Sequence, residues 1–223
     1  MPMLSRLILL LALSLLPRAA SAAPVKALPG TERVAIETDL GRIIVAVDLR
    51  RAPLTAANFM TYVDDRRFDG VTFYRAARRK NAPTLGLIQG GIDTDLRRAL
   101  PPVRHEPTSK TGIRHLDATI SMARPDRPNS AMGNFFITVG ATPRMDAVGD
   151  YIGYAAFGRV VSGMEAVKRI LGQPTCCGSG PMRGQMIVKP VRILRVVRLD
   201  GVAKPTKGVR PWLIGINRKP APR

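Results

Sequence analysis

Ile120-Ser121-Met122-Ala123-Arg124 and Asn134-Phe135-Phe136-Ile137 are the two stretches that say most about the fold of this 223-residue chain. The chain has Phe73-Tyr74-Arg75 and Gln89-Gly90-Gly91 before them, and residues 153–160 read Gly-Tyr-Ala-Ala-Phe-Gly-Arg-Val after them. Any one stretch alone is weak, because a Gln-Gly-Gly or a Phe-Phe pair lies more often in a turn or a core than in an active site. Their joint order along one chain is therefore the observation to explain.

The remainder of the chain predicts many strands and few helices. Residues 32–38 alternate polar and apolar side chains, as a half-buried strand does, and residues 43–49 return after a turn, so together they predict a hairpin. Apolar residues recur at helical spacing after Pro53 and over residues 164–171, which predicts two helices. Further strands are predicted at residues 71–76, 87–89, 118–123, 134–139, 154–160 and 188–199. This count indicates a mainly β protein, a closed or nearly closed barrel with helices at its ends.

The two ends of the chain differ in composition from the part between them. Arg6 precedes a leucine-rich stretch at residues 7–16, and Ala20-Ser21-Ala22 supplies the small residues that a signal peptidase accepts. We therefore predict a secretory signal at residues 1–22, cleaved after Ala22, and no stable membrane insertion once it is removed. A linker at residues 23–31, a folded domain at 32–200 and a basic, proline-rich tail at 201–223 complete the predicted organisation.

The formal net charge of +19 bears on the choice of partners. Such a charge attracts anionic molecules, including nucleic acids and phospholipid head groups. However, the basic residues are spread along the whole chain, and no nucleic-acid signature with interleaved aromatic residues is present. We therefore interpret the charge as a solvated basic surface and expect no nucleic-acid partner.

Few residues are available for metal or disulfide chemistry. The histidines are His105 and His115, and the two cysteines, Cys176 and Cys177, are adjacent. Consecutive Cα atoms lie ~3.8 Å apart, below the ~4.4 Å usual for a disulfide, so a bond between these cysteines would be strained. We predict no metal site and no cofactor, and we interpret the cysteines as two loop thiols, with a reactive pair or an intermolecular bridge as the alternative.

The stretches quoted above resemble, in order and spacing, those of the cyclophilins, a family of peptidyl-prolyl cis/trans isomerases. The resemblance covers residues 34–199 and implies a closed eight-stranded antiparallel β-barrel capped by two α-helices. It also implies that Arg75 is the catalytic residue. The positions that it assigns to substrate binding are Phe73, Leu87, Gln89, Ala123, Asn134, Phe136, Met145 and Tyr154.

An arginine suits the chemistry that this resemblance implies. Rotating an X-Pro bond requires no nucleophile or metal, because its barrier of ~18–20 kcal/mol comes from amide resonance. A catalyst needs an apolar pocket for the proline ring and a rigid donor where the twisted nitrogen regains its lone pair. The planar, permanently charged guanidinium meets the second need. Strand alternation predicts Phe73 and Arg75 on one face and Tyr74 on the other.

The chain departs from the family pattern around the expected pocket. The separation of Arg75 and Gln89 is several residues longer than usual, and we interpret the excess as a loop at residues 77–85. Gly86 stands where a phenylalanine is expected, and Arg144 where some members have tryptophan. Loss of an aromatic wall weakens the pocket unless the longer loop supplies a replacement such as Leu85.

Besides an anion- or envelope-surface binder that works through the basic tail, two functions remain open at this level. The first is a monomeric, exported, periplasmic isomerase acting on proline-containing polypeptides, whose X-Pro bonds isomerise unaided in tens to hundreds of seconds. The second is a non-catalytic binding or chaperone module on the same barrel, with a degraded proline pocket and a basic surface that recruits acidic clients.

Overall fold

The computed structural model describes residues 28–206 of the chain. The predicted secretory signal and most of the predicted linker and tail lie outside the described residues. The strands are β1 (Thr31–Thr38), β2 (Gly41–Asp48), β3 (Thr72–Arg79), β4 (Ala82–Gly91), β5 (Thr119–Met122), β6 (Asn134–Val139), β7 (Ala156–Ser162), β8 (Thr175–Cys176) and β9 (Met186–Arg198). The helices are α1 (Pro53–Asp64), α2 (Thr108–Thr111) and α3 (Met164–Leu171), with single 3-10 turns at Leu96–Arg98, Pro143–Met145 and Gly180–Met182.

Eight strands close into an antiparallel barrel. They are hydrogen-bonded in the order β1-β2-β7-β5-β6-β4-β3-β9, and β9 pairs in turn with β1, which removes the open edges of the sheet. The two-residue β8 pairs with β9 beside its contact with β3. The prediction of a closed eight-stranded barrel is therefore confirmed. The two predicted helices are α1 and α3, and α2 is an additional single turn.

Aromatic side chains form the centre of the core. The ring of Phe59, on α1, lies 5.2, 5.6 and 5.0 Å from the rings of Phe68, Phe135 and Phe157. Phe73 is fully buried in the same cluster, edge-on to Phe135 at 5.7 Å. Such pairs contribute about 0.5–1.5 kcal/mol each beyond the burial of their area. The core thus fixes β3 and β6 against α1.

The first turn of α1 is capped by a distant residue. Pro53 begins the helix, and its fixed φ suits that position. The main-chain N–H groups of Leu54 and Thr55 donate to the two carboxylate oxygens of Glu106, at 3.2 and 2.7 Å. A carboxylate is favoured there, because the N-terminus of a helix carries partial positive charge.

Residues just after the predicted domain boundary pack on the other end of α1. The main-chain N–H of Lys204 donates to Asp64 at 2.9 Å, and the N–H and hydroxyl of Thr206 donate to Asp65 at 2.7 and 2.6 Å. Arg198 at the end of β9 also pairs with Asp64, at 2.7 Å. The chain therefore stays bonded to the domain as far as Thr206.

The extra residues between Arg75 and Gln89 extend a hairpin. β3 continues to Arg79, which pairs with Ala82 at the start of β4. The prediction of a loop at residues 77–85 is wrong, because the added residues join the ladder between the two strands. Arg78 anchors the extension, since its Nη1 donates at 2.8 Å to two main-chain carbonyls at the C-terminal end of α3, those of Leu171 and Gln173.

The same hairpin explains Gly86. Its φ is +149°, and a Cβ at this position would lie 2.1 Å from the main-chain oxygen of Ala77. The backbone of β3 therefore occupies the space in which the family pattern expects a phenylalanine. Leu85 does not replace that ring, because its side chain packs on the barrel core beside Gly140.

No helix within residues 28–206 has both the length and the apolar character needed to cross a membrane. Over the same residues, no group of three or more histidine, cysteine, aspartate or glutamate side chains is arranged to hold a metal ion.

Candidate active site

A groove with a volume of about 530 Å³ lies on the barrel beside β3, β4 and β6. Its volume is within the range typical of ligand pockets. All predicted site residues apart from Phe73 line it: Arg75, Leu87, Gln89, Ala123, Asn134, Phe136, Met145 and Tyr154. The tertiary structure thus brings together side chains that are widely separated along the chain.

The register of four adjacent strands places the main site residues in one row. Arg75 on β3 pairs with Gln89 on β4, Gln89 pairs with Phe136 on β6, and Phe136 pairs with Ser121 on β5. Directly paired residues have their Cβ atoms about 4.5–5.5 Å apart, so each can contact the next. The Phe135-Phe136 pair divides as strand alternation predicts, with Phe135 in the core and Phe136 in the groove.

A bulge in β3 changes which of its side chains reach the groove. Phe73 pairs with Gly90 and Arg75 pairs with Gln89, so Tyr74 is an extra residue in the ladder. An extra residue interrupts the alternation of side chains. Tyr74 and Arg75 consequently both line the groove, whereas Phe73 is 0% exposed in the core. The predicted alternation is wrong here, and Phe73 does not line the groove.

Close packing on Phe73 also explains the Gln-Gly-Gly stretch. A Cβ on Gly90 would lie 2.7 Å from the Phe73 ring and 2.8 Å from the main-chain oxygen of Thr72. A side chain at this position would therefore push β4 away from β3 and disturb Gln89, the neighbouring residue.

Two neutral carboxamides hold the guanidinium of Arg75. Its Nη1 donates to Gln89 Oε1 at 2.8 Å, and its Nε and Nη2 donate to Gln185 Oε1 at 2.9 and 2.7 Å. No carboxylate among residues 28–206 forms an ion pair with it. Burial lowers the pKa of Arg75, but an arginine keeps its proton at physiological pH. The groove therefore contains the positive charge of Arg75 without an ion-pair partner, and the carboxylates of Asp93 and Asp126 line it elsewhere.

Tyr74 orients Gln89. The Nε2 of Gln89 donates to the Tyr74 hydroxyl at 2.9 Å while its Oε1 accepts from Arg75. Burial raises the pKa of Tyr74 to about 12, so its hydroxyl stays protonated at neutral pH. The two contacts together determine which end of the carboxamide faces Arg75. Sequence reasoning did not identify Tyr74, because only the bulge turns it towards the groove.

Phe136 forms an apolar floor with an aromatic residue on each side. The ring of Tyr154 meets it edge-on at 5.5 Å, and the imidazole of His115 stacks on it at 5.8 Å. The apolar side chains of Leu87, Met145, Met182 and Met186 line the same groove. Methionine is flexible and polarisable, so it adapts to ligands of irregular shape.

His115 is part of a buried polar set beneath the floor. Its Nδ1 lies 2.7 Å from Asp146 Oδ1, and its Nε2 lies 3.0 Å from Ser121 Oγ. Burial lowers the pKa of His115, so the ring is neutral at pH 7. Serine hydrolases use this order of hydrogen bonds. Here, however, Ser121 and His115 are 0% exposed, so no substrate reaches the hydroxyl and the set serves to support Phe136.

Asn134 holds the edge of the groove. Its Oδ1 accepts from the main-chain N–H of Asp93 at 2.7 Å, and its Nδ2 donates to the Asp93 carbonyl at 3.0 Å. Asp93 has a φ of 50°, and it lines the groove with Thr94. Both polar atoms of the Asn134 side chain are thus engaged by this turn, which leaves one N–H of the Nδ2 group for other partners.

Several lining residues carried no sequence signal. Arg124 lies over the Tyr154 ring at 5.1 Å and donates from Nη2 to the Gly153 carbonyl at 2.7 Å, so it closes one end of the groove. The segment between β8 and β9 contributes Pro181 and Met182. An exposed proline beside the partly exposed Met182 and Met186 is typical of an adaptable binding surface.

A disulfide lies at the start of that segment. Cys176 and Cys177 are bonded to each other, with their Cα atoms 3.8 Å apart. The interpretation of these residues as two free thiols is therefore wrong: the bond forms despite the short separation that argued against it.

The fold and the groove together define a closed β-barrel protein with an apolar floor and, beside it, an arginine held by carboxamides. Residues 33–198 match the family model of the cyclophilin type peptidyl-prolyl cis-trans isomerase/CLD. The chain therefore belongs to the cyclophilin-type peptidyl-prolyl cis-trans isomerases, and the family expected from the sequence is confirmed.

Relatives support the same enzyme class. A peptidyl-prolyl cis-trans isomerase of Acinetobacter baylyi is 31% identical over 165 residues, which cover 73% of this chain and 83% of the relative. Peptidyl-prolyl cis-trans isomerase A of Dickeya dadantii is 35% identical over 149 residues, 66% of this chain and 75% of the relative. A Cryptosporidium parvum cyclophilin type isomerase has the same fold, with a TM-score of 0.57 at 17% identity, over 77% of this chain and 99% of the other. The chain is accordingly a peptidyl-prolyl cis-trans isomerase.

Proposed function

We propose that this isomerase twists the X-Pro amide with the assistance of Arg75, and that its substrates are exported polypeptides. The observation that supports the mechanism is the position of a guanidinium without an ion-pair partner in the same groove, and in the same cross-strand row, as the apolar floor of Phe136. One group supplies the donor and the other supplies the surface for the proline ring. These are the two requirements of a reaction in which no covalent bond breaks.

The proline ring rests on Phe136, with Leu87 and Met145 beside it. As the amide twists, its nitrogen loses resonance and regains a lone pair. Nη1 of Arg75 uses one N–H for Gln89, so its second N–H is free to donate to that nitrogen. A hydrogen bond from a charged donor is worth about 1.5–3 kcal/mol, so one that forms chiefly in the twisted state accelerates the reaction roughly ten- to a hundredfold.

Replacement of Arg75 tests this mechanism. We expect Arg75→Ala to lower kcat/KM roughly ten- to a hundredfold on an Ala-Pro peptide. Arg75→Lys should also be impaired, because an ammonium group lacks the planar fork that Gln89 and Gln185 hold. A protease-free isomerisation assay measures the rates, and circular dichroism checks the fold. An Arg75→Ala enzyme as fast as the wild type would exclude the proposed mechanism.

We also propose that the enzyme acts outside the cytoplasm as a monomer. The support is the leucine-rich stretch at residues 7–16 followed by Ala20-Ser21-Ala22. Newly exported chains fold there, and their X-Pro bonds isomerise slowly without a catalyst. Mass spectrometry of the protein from a periplasmic fraction should find Ala23 at the N-terminus, and light scattering should give the mass of a single chain. An intact Met1 on a cytoplasmic species would contradict the export.

A further inference from the structure

Residues 177–185 form one side of the groove, and Gln185 is the last of them, directly before β9. Among these residues, Gln185 makes the closest contacts to Arg75. Nε and Nη2 of Arg75 both donate to its Oε1, at 2.9 and 2.7 Å. These two nitrogens form one edge of a rigid planar group, so a shared acceptor fixes the direction in which that edge points. Gln89 contacts only Nη1 and leaves the guanidinium free to turn about that single contact.

The carboxamide of Gln185 is itself held in place. Its Nε2 donates to the Pro181 carbonyl at 3.1 Å, and its main-chain N–H donates to the Met182 carbonyl at 3.0 Å. Its main-chain oxygen accepts from Ala76, the residue that follows Arg75, at 2.9 Å. A flipped carboxamide would face both Arg75 and Pro181 with the wrong group. The oxygen is therefore directed at Arg75 by contacts on each side.

A neutral acceptor has a specific consequence at this position. A glutamate would hold the guanidinium equally well, but its charge would compensate that of Arg75 in a partly buried site. The charge-assisted hydrogen bond to a twisted amide would then weaken. A glutamine holds the guanidinium and leaves its charge available. Gln185 does not line the groove, so its influence on a bound substrate passes through Arg75.

We infer that Gln185 is a positioning residue for the isomerisation, which sets the guanidinium of Arg75 through an uncharged oxygen. This inference rests on the proposed role of Arg75 in catalysis. It assigns a function in the reaction to the segment between β8 and β9, about 110 positions away from Arg75 along the chain.

Four variants and a control test this role. Gln185→Met removes the acceptor at similar length, Gln185→Glu keeps an acceptor and adds a charge, and Arg75→Ala is made alone and combined with Gln185→Met. Gln173→Met is the matched control, because the Gln173 side chain donates to the Arg169 carbonyl, away from the groove. For each enzyme, kcat and KM are measured separately on an Ala-Pro peptide in the protease-free assay, with a thermal melt as the check on folding.

We expect Gln185→Met to lower kcat about tenfold with KM within about twofold, since the floor that binds the proline ring is unchanged. Gln185→Glu should lower kcat about threefold or more, because the added charge offsets that of Arg75. Gln173→Met should match the wild type. In the Arg75→Ala background, Gln185→Met should have no further effect on kcat, because the guanidinium that Gln185 orients is absent.

The outcomes separate the inference from the mechanism on which it rests. A slow Arg75→Ala enzyme beside a normal Gln185→Met enzyme would overturn the role of Gln185 and leave the mechanism standing. A normal Arg75→Ala enzyme would overturn both. A further loss in the double variant would show that Gln185 acts apart from Arg75, against the inference. If Gln185→Met fails to fold, the kcat of Gln185→Glu tests the inference instead. A wild-type kcat in that folded variant would show that the acceptor does not need to be uncharged, against the inference.

Discussion

The two sides of the groove are built in different ways. On one side, Arg75, Gln89 and Phe136 stand on three neighbouring barrel strands, and continuous ladders fix their spacing. On the other side, residues 177–185 leave the barrel between β8 and β9 and return to it through Gln185. The strand side supplies the floor and the charge, whereas the loop side contacts the charged group through Gln185. Strands hold side chains whose spacing must be fixed, whereas a loop can orient a side chain through a few contacts.

Apart from the contacts of Gln185 and Pro181 with β3, the hydrogen bonds of the loop side are local. Gly184 donates from its main-chain N–H to the Cys177 carbonyl, and a disulfide joins Cys177 to Cys176 beside it. Pro181 accepts from the side chain of Gln185. Changes on the loop side should therefore alter catalysis more than stability, while changes on the strand side should alter both. The predictions below test this difference, beginning with the largest effect.

Removal of the floor should affect the strand side most. Phe136→Ala deletes a ring that is 2% exposed and packs between His115 and Tyr154. We expect KM to rise and kcat/KM to fall roughly ten- to a hundredfold, because the ring's burial is worth about 1.5–3 kcal/mol. The free energy of unfolding should also fall, by about 3–5 kcal/mol.

Isomerisation kinetics and urea unfolding measure the two effects of Phe136→Ala. A variant with reduced turnover and unchanged stability would contradict the view that the floor also contributes to the stability of the barrel. Leu54→Ala is a suitable control, because this apolar residue is 46% exposed on α1.

Acid should lower the stability of the strand side through protonation of His115. Burial lowers its pKa in the folded state, whereas the unfolded chain keeps the ordinary value of 6.5. Below pH 6.5 the unfolded state therefore binds more protons than the folded state. The stabilising contribution of a neutral His115 is complete above that pH and is lost as the pH falls below it. The free energy of unfolding should decrease by up to about 1.4 kcal/mol per pH unit in that window.

Urea unfolding at pH 7.5 and 5.5 checks this dependence on pH. His115→Gln should remove most of it, while His105→Gln should preserve it, because His105 stands outside the layer beneath Phe136 and its Nε2 contacts the Ile152 carbonyl instead. Equal pH dependence in wild type and His115→Gln would show that other groups are responsible.

Removal of the disulfide should have the smallest effect on the free energy of unfolding. Cys176 and Cys177 are adjacent, so their bond closes almost no length of chain and constrains the unfolded state little. We expect the free energy of unfolding to change by about 1 kcal/mol or less in a Cys176→Ser/Cys177→Ser enzyme. A loss of several kcal/mol would mean that the loop side is integral to the barrel, and the contrast between the two sides would fail.

The sequence already indicated much of the strand side. Periodicity predicted the strands and both long helices, and the ordered stretches around Arg75, Gln89 and Phe136 indicated the family and its groove. These features are local, because alternation within a strand assigns each side chain to a face over a few residues. The division between Phe135 and Phe136 follows from the same rule.

The tertiary structure decided the features that depend on residues far apart in the chain. The bulge at Tyr74 removed Phe73 from the site, Glu106 capped α1, and Gln185 reached Arg75 across a separation of 110 positions. No pattern of neighbouring residues specifies such contacts, since each arises only when closure of the barrel brings its partners together. The sequence by itself therefore determined the kind of barrel and the residues of the row that contains Arg75, Gln89 and Phe136, while the direction in which the arginine points was decided by contacts between β3 and the segment before β9.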